Sequence, residues 1–148
     1  MRQHNLRILF FLLVLWGVAV ACSRREARFR IGVSQCSEDE WRHQMNSEIL
    51  REAHFYEDVE VDIRTAVDDN DRQAKDIREL IAEGVDLLIV APNEATPITP
   101  VVEEAYNRGI PVIVVDRKIL SDKYTAYVGA DNYEIGNCLL YTSPSPRD

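Results

Sequence analysis

Hydrophobic and polar residues follow two different rhythms along the chain, and these rhythms predict strands and helices in turn. In FRIGVSQ, which begins at Phe29, apolar and polar positions alternate with the period of a strand. The next segment has apolar residues spaced by four, which places them on one face of a predicted helix. They are Trp41, Met45, Ile49 and Ala53. S-E-D-E, from Ser37 to Glu40, forms a capping-box pattern at the start of that helix.

The strand pattern returns four more times. VEVDI alternates like the first strand, whereas DLLIVAP is a continuous apolar run of the kind found in parallel strands covered on both faces. PVIVV and YTAYVGA are the predicted fourth and fifth strands, and a helix beginning at Asn132 or Tyr133 follows them.

Residues that favour helix termini mark the two helices between these strands. Asn70 and Gln73 are predicted to cap the second helix, and Gly84 is predicted to end it. Residues 99–100, Thr-Pro, are predicted to begin the third helix, which ends at Gly109. The residues expected to face inward on the second helix are Ala74, Ile77, Leu80 and Ile81.

Strands and helices alternate at about 25 to 30 residues per repeat, which is typical of right-handed crossovers in an α/β fold with an open, doubly wound parallel sheet. In such sheets a ligand binds outside the carboxyl ends of the strands. Asp116 and Arg117 directly follow the predicted fourth strand. We therefore expect both side chains at the edge of a binding crevice.

The amino-terminal residues predict export. Arg2 and Arg7 precede the apolar run at 8–21, which is shorter than the roughly 18 to 20 residues of a membrane span and fits a signal peptide or signal anchor at 1–22. Cys22 after AVA is a candidate for lipidation, although Ala19 replaces the usual Leu. Plain cleavage and an uncleaved anchor remain open, and residues 23–28 form a short linker.

The carboxyl-terminal residues 138–148, CLLYTSPSPRD, break the preceding pattern. They resemble the translated end of a transposon used to prepare sequencing libraries, and we interpret them as a sequencing-adapter scar; a natural Ser/Pro linker is the alternative. A scar would mean that the gene was interrupted near Asn137, so that 29–137 is a truncated lobe and further domains are missing.

Composition narrows the choice of partners. The formal net charge is −8, and such an acidic surface repels phosphate backbones, so we expect no nucleic-acid partner. Of the three cysteines, only Cys36 lies outside the two ends, so an internal disulfide framework is not expected.

The side chains at the predicted strand exits favour a sugar as ligand. Sugar hydroxyls donate and accept hydrogen bonds, while the C–H faces of the ring stack on aromatic side chains. A carboxylate beside a guanidinium can form charge-assisted hydrogen bonds with those hydroxyls. The candidate binding residues are Asp116, Arg117, Trp41, Asn93 and Asp131. Other roles remain open at this stage: a structural ion pair or exposed loop for the first two, core packing for Trp41, and chain turning for Asn93.

An enzymatic interpretation rests on Cys36 and Arg42, which have the C-x5-R spacing of small tyrosine phosphatases. The intervening SEDEW has three carboxylates, which would oppose a thiolate and a phosphate, and it has no glycine to wrap an anion. We predict no catalytic residue and no cofactor, because the chain has no GxGxxG, GxxxxGK(S/T), GxSxG or HExxH motif. We predict no metal site, because the three histidines show no ligand spacing.

Several blocks together resemble a known family. FRIGVSQ, EGVDLLIVAPNEA, RGIPVIVVDRK and AYVGADNYEIG are similar to the first half of periplasmic sugar-binding proteins of the ribose, galactose and LacI type, over residues 29–137. The resemblance implies the amino-terminal lobe of a type I periplasmic binding protein, with strand order 2-1-3-4-5. It also implies that Asp116 and Arg117 hold sugar hydroxyls and that Trp41 packs on the sugar ring.

Two further blocks, VSQCSEDEWR and SDKYTAYVGADNYEIG, resemble the periplasmic sensor domains of hybrid two-component histidine kinases. This implies sugar binding by two-lobe closure, membrane anchoring, a possible homodimer, and kinase activity only in missing domains. The alternative is the binding protein or lipoprotein of a sugar ABC transporter. A repressor would carry a DNA-binding motif where this chain carries an export signal.

Overall fold

The computed structural model describes residues 29–142, which form five strands and four helices. The strands are β1 (Phe29–Gln35), β2 (Val59–Thr65), β3 (Leu87–Val90), β4 (Val112–Val115) and β5 (Ala126–Val128). The helices are α1 (Glu40–Ala53), α2 (Asn70–Ala82), α3 (Ala95–Asn107) and α4 (Asn132–Thr142).

The strands form a single sheet in the order β2-β1-β3-β4-β5, and every neighbouring pair is parallel. Val33 of β1 lies at its centre, opposite Ile63 of β2 and Ile89 of β3. The predicted sheet and its strand order are confirmed. Because all five strands run in one direction, their carboxyl ends meet at one edge, where a ligand would bind.

The main core lies between one face of the sheet and the helices α2 and α3. The fully buried aliphatic side chains of this layer come from both helices and from β3 and β4: Ile77, Leu80, Ile98, Val101, Val102, Leu88, Val90, Val112 and Val114. Each stabilises the fold by roughly 1.5 to 3 kcal/mol relative to an exposed side chain. The inward face predicted for α2 is confirmed at Ile77, Leu80 and Ile81, while Ala74 packs against its margin.

The predicted helix caps need correction for α1 and α2. Asp39, not Ser37, caps α1, because its carboxylate accepts a hydrogen bond from the Arg42 amide. Ser37 instead donates to Asp39, at 2.6 Å. In α2 the cap is Asp69, which accepts from two amides of the first turn. A carboxylate directly before the helix reaches these amides better than the predicted residues and also interacts favourably with the helix dipole.

The start of α3 also differs from the prediction. The helix begins at Ala95, one turn before residues 99–100, so Pro100 lies inside it. Thr99 donates its hydroxyl to the Ala95 carbonyl at 2.7 Å. The predicted glycine stops are confirmed: Gly84 and Gly109 have φ of 77° and 83°, in the left-handed region that glycine adopts without steric cost.

Among residues 29–142, no helix has both the length and the apolar character that crossing a bilayer requires. The predicted signal segment at 1–22, Cys22, the linker at 23–28 and most of the predicted adapter scar lie outside the described residues.

Candidate functional site

Asp116 stands at the exit of β4 with its backbone in the left-handed region, at φ 68°. Two contacts hold this conformation: its amide donates to the Val128 carbonyl at 2.9 Å, and its carbonyl accepts from the Tyr127 hydroxyl at 2.7 Å. A non-glycine residue at positive φ is uncommon and carries some strain. The arrangement directs the chain away from the sheet immediately after a short buried strand.

Arg42, from the first turn of α1, pairs with the Asp116 carboxylate. Nη2 of Arg42 donates to Oδ2 of Asp116 at 2.6 Å, and the Arg42 side chain is 4% exposed against 42% for that of Asp116. The other carboxylate oxygen, Oδ1, accepts no hydrogen bond from any residue in 29–142. The site therefore combines a buried cation with an ionic partner that still has acceptor capacity.

Two nitrogens of Arg42, Nε and Nη1, are buried and have no hydrogen-bond partner within the described part of the chain. Unpaired buried donors are costly, and those of a charged group more so. Arg42 is also the only buried residue of α1, so this helix buries a cation where an apolar side chain is expected. Such a cost is typical of a residue retained for binding.

Asp39, at the amino-terminal cap of α1, holds the backbone of Arg42. The Ser37 hydroxyl and the Arg42 backbone amide both donate to its carboxylate, and they hold the pKa of Asp39 below its usual value. The Asp39 carboxylate is thus charged at neutral pH, and it fixes the backbone from which the Arg42 side chain reaches Asp116.

Trp41 does not belong to the core, and the predicted helix stripe is wrong at its first member. Trp41 is 55% exposed, whereas Arg42 is 3% exposed. The Arg42 guanidinium carbon lies 4.5 Å from the centre of the Trp41 ring, within the range of a cation–π contact. The indole therefore borders the site with much of its surface open.

Arg117, the residue after Asp116, contacts the backbone of Asn93 in the turn that follows β3. Nη1 of Arg117 donates to the Asn93 carbonyl at 2.6 Å, while Nε and Nη2 make no hydrogen bond to another residue of 29–142. The Asn93 side-chain amide is engaged in the turn, where it donates to the Asp68 carbonyl and to Oδ1 of Asn70. In this structure Asn93 supports the site mainly through its backbone.

Asp131 lies at the start of α4. Its Oδ1 accepts from the amides of Tyr133 and Glu134, at 2.9 and 3.3 Å. The carboxylate thus serves as a helix cap, and its predicted contact with a ligand stays a prediction.

The C-x5-R pattern does not form a phosphatase loop. Cys36 is 1% exposed, and its sulfur lies 3.7 Å from the Ser37 hydroxyl. Arg42, which would have to bind phosphate beside that thiol, pairs with Asp116 instead.

Arg42 is the site residue that the sequence analysis missed as a binding group. A periodicity signal for it exists: positions 42, 45, 49 and 53 follow the helical spacing as well as 41, 45, 49 and 53 do. Choosing the aromatic residue over the charged one made the predicted stripe wrong at its first position.

The comparison with known proteins is consistent with this fold. The sequence profile described as "Periplasmic binding protein domain" matches residues 31–140. The chain belongs to the periplasmic binding protein family. Within this family it is 35% identical to the galactofuranose-binding protein YtfQ of Escherichia coli over 127 residues, which are 82% of this chain and 40% of that protein. It is also 35% identical to the ribose import binding protein RbsB of Bacillus subtilis, over 53% of this chain and 26% of that protein.

Solved structures of the family give the same result. The fructose-binding periplasmic domain of the hybrid two-component system BT1754 is 69% identical, with a TM-score of 0.73, and the match covers 75% of this chain and 37% of that one. A solute-binding protein of an ABC transporter from Bacillus halodurans, solved with myo-inositol, is 28% identical with a TM-score of 0.67, over 80% and 44% of the two chains. The chain thus has the type I periplasmic binding protein fold and spans less than half the length of these relatives.

Proposed function

We propose that this chain supplies one lobe of a periplasmic domain that binds a sugar and reports it as the sensor of a hybrid two-component histidine kinase. The 69% identity to a fructose-binding domain of such a system supports this proposal, and it makes fructose the first ligand to test. We propose no catalytic role for the chain itself.

The arrangement of Asp116 carries the proposal. Its Oδ1 can accept a hydrogen bond from a sugar hydroxyl, while Arg42 holds the other oxygen. Nε and Nη2 of Arg117, which bond no other residue of 29–142, can donate to sugar oxygens, and the exposed Trp41 ring offers a surface for the C–H face of the sugar. Acceptors, donors and an aromatic face at one strand edge match the chemistry of a polyol.

The mechanism that we infer is closure of two lobes around the sugar. The ligand binds this lobe at the exit of β4 and contacts a second lobe outside the described residues. It then shifts the conformational equilibrium of the domain from open to closed, to the extent set by its difference in affinity for the two states. In a dimeric, membrane-anchored sensor, the closed state would then change the geometry passed across the membrane.

Replacement of Asp116 in the complete two-lobed domain tests the proposal. We expect Asp116→Ala to weaken fructose binding about 10- to 100-fold, as the loss of hydrogen bonds to a charged group of roughly 1.5 to 3 kcal/mol would require. Isothermal titration calorimetry measures this change, and Asp122→Ala, in the same β4–β5 connection, is the matched control with unchanged affinity. Equal affinity in both variants would remove Asp116 from the site. A wild-type domain that binds none of fructose, ribose, xylose and galactofuranose would contradict sugar binding altogether.

The second candidate is a binding protein that delivers sugar to an ABC transporter, which the 35% identity to the ribose import binding protein RbsB favours. Lipidation of Cys22 would suit this role, whereas an uncleaved anchor at 1–22 would suit a sensor. Sequencing the locus beyond the present carboxyl terminus separates the two: a membrane helix and a kinase domain after the second lobe support the sensor, and a stop codon supports the transporter component.

A further inference from the structure

Gln73 is a polar residue on the buried face of α2. It is fully buried, although its neighbours on the same helix face, Ile77 and Leu80, are aliphatic core residues. Burying an amide costs free energy unless its hydrogen bonds are satisfied. The sequence analysis assigned Gln73 to the cap of α2, but Asp69 performs that role, so the buried amide needs another explanation.

The amide of Gln73 joins two strand ends to the turn that follows β3. Its Nε2 donates to the Ala91 carbonyl at 2.9 Å and lies 3.3 Å from the Ser34 hydroxyl. Its Oε1 accepts from the Asn93 amide at 2.9 Å. The orientation is chemically fixed, because Ala91 offers only a carbonyl acceptor here and Asn93 only an N–H donor. Flipping the amide would break both bonds.

The same Asn93 residue connects Gln73 to the candidate site. The Asn93 N–H is held by Gln73, and the Asn93 carbonyl accepts from Nη1 of Arg117 at 2.6 Å. A shift of this turn would therefore move the anchor of Arg117 directly. The position of an exposed guanidinium at the ligand edge thus depends on a fully buried amide of the core.

We propose that Gln73 is a positioning residue, which acts on the ligand through the β3–α3 turn and Arg117. The inference rests on the proposed function only for its effect on sugar affinity. Its structural part, the control of Arg117, can be measured without any ligand.

The test uses the complete two-lobed domain and the variants Gln73→Leu and Ile77→Val. Gln73→Leu keeps most of the volume but removes the hydrogen bonds to Ala91, Ser34 and Asn93, so Arg117 should lose its anchor. We expect fructose affinity to fall about tenfold, and we expect no further fall when Gln73→Leu is added to Arg117→Ala. Ile77→Val, one turn along the same face, should lower the melting temperature and leave affinity within about twofold.

The nuclear magnetic resonance signal of the Arg117 Nε–Hε group supplies the ligand-free measurement. Gln73→Leu should shift it and lower its order parameter, whereas Ile77→Val should not. The positioning role would be overturned if Gln73→Leu cost as much affinity in the Arg117→Ala variant as in the otherwise wild-type domain, or if it left the Arg117 signal unchanged. If the wild-type domain itself did not bind sugar, that result would instead contradict the proposed function.

If Gln73→Leu does not fold, Gln73→Glu provides the same test. A carboxylate can still accept from Asn93 but cannot donate to the Ala91 carbonyl. Burial raises the pKa of the new carboxyl, so we expect a signal close to that of the wild type at low pH, where the protonated carboxyl can donate, and an altered Arg117 signal as the pH rises and the carboxyl ionises. A wild-type Arg117 signal in this variant at every pH would overturn the proposal.

Discussion

Arg42 places a guanidinium on the inner side of α1, where an aliphatic side chain would pack without leaving donors unpaired. One nitrogen pairs with Asp116, and two others are buried without a partner among residues 29–142. Removing one partner of a buried pair is strongly destabilising when it leaves the other charge buried and unpaired, so replacing the buried member with an apolar residue avoids that cost only if the remaining charge can be hydrated. Asp116, with a side chain 42% exposed, meets that condition.

Arg42→Met should therefore separate stability from binding. We expect the melting temperature of the two-lobed domain to stay constant or rise, because the unpaired donors disappear, while fructose affinity falls about 10- to 100-fold because Asp116 loses its positioning partner. Thermal unfolding and calorimetric titration measure the two effects. Arg51→Met, at an exposed position of the same helix, is the control and should change neither. A fall in stability with unchanged affinity would make Arg42 purely structural.

At this scale the sequence predicted the position of some residues of the candidate site and missed that of others. Asp116 and Arg117 could be placed because they directly follow an apolar strand, and parallel strands present their carboxyl ends to the ligand. Arg42 and Asp116 are 74 residues apart in the sequence, so no local pattern reveals their pairing. Helical spacing fits Trp41 and Arg42 equally well, and hydrophobicity favours the aromatic residue over the charged one as the buried member. The pair emerges only when the sheet brings the ends of β1 and β4 to one edge.

The β5 strand and the residue after it contact the backbone of the candidate site at Asp116. The Tyr127 hydroxyl of β5 donates to the Asp116 carbonyl, and it packs against Gly129. A Cβ atom at position 129 would collide with the Tyr127 ring and would lie 3.0 Å from the Asp116 carbonyl oxygen. Glycine is thus required here for close approach, so that β5 can hold the turn after β4.

Gly129→Ala should displace Tyr127 and release the Asp116 backbone. We expect destabilisation of about 1 to 3 kcal/mol from overpacking, together with weaker fructose binding. Chemical denaturation and titration of the two-lobed domain measure both. Gly136→Ala is the matched control, since a Cβ there meets nothing within 4 Å and alanine favours a helix interior, so stability should be unchanged or higher. Similar behaviour of the two variants would show that the Tyr127 contact is dispensable.

Element boundaries were predicted less well than the elements themselves. Each strand and helix lies where the periodicity indicates, but α3 begins one turn earlier than residues 99–100 suggest. Pro100 is tolerated inside α3 because it lies at an exposed position of the helix. Its missing N–H leaves only one backbone carbonyl of the helix without its hydrogen bond. Local rules for helix termini cannot weigh this loss against the burial of Ile98 and Val101 on the opposite face.

At the scale of the whole molecule, this lobe holds only one side of the proposed binding crevice. A ligand pocket buries most of the surface of its ligand, which a single open edge cannot do. We expect residues 29–142 alone to bind fructose at least about 100-fold more weakly than the two-lobed domain. Calorimetric titration of both, with circular dichroism to verify that the lobe is folded, makes the comparison. Equal affinity would contradict closure between lobes.

The overall topology was the most predictable property, because the strand patterns, the helix patterns and their order along the chain all indicate the same fold. DLLIVAP and PVIVV are continuous apolar runs, and each forms a central strand buried by helices on at least one face. Alternation with amphipathic helices then leaves few possible connections, since crossovers between parallel strands are right-handed. The polar network around Gln73 was not predictable, because each of its bonds joins elements distant in the sequence.

The left-handed backbone of Asp116 limits how the proposed sugar site could be re-engineered. At φ 68° a β-branched or bulky residue would be strained, and only glycine, asparagine and aspartate enter this region with ease. Most other residues at position 116 would thus cost about 1 to 2 kcal/mol of stability, and asparagine is the substitution that retains a polar side chain of the same shape without this cost. New sugar preferences are better sought at Trp41, whose helical backbone accepts almost any residue.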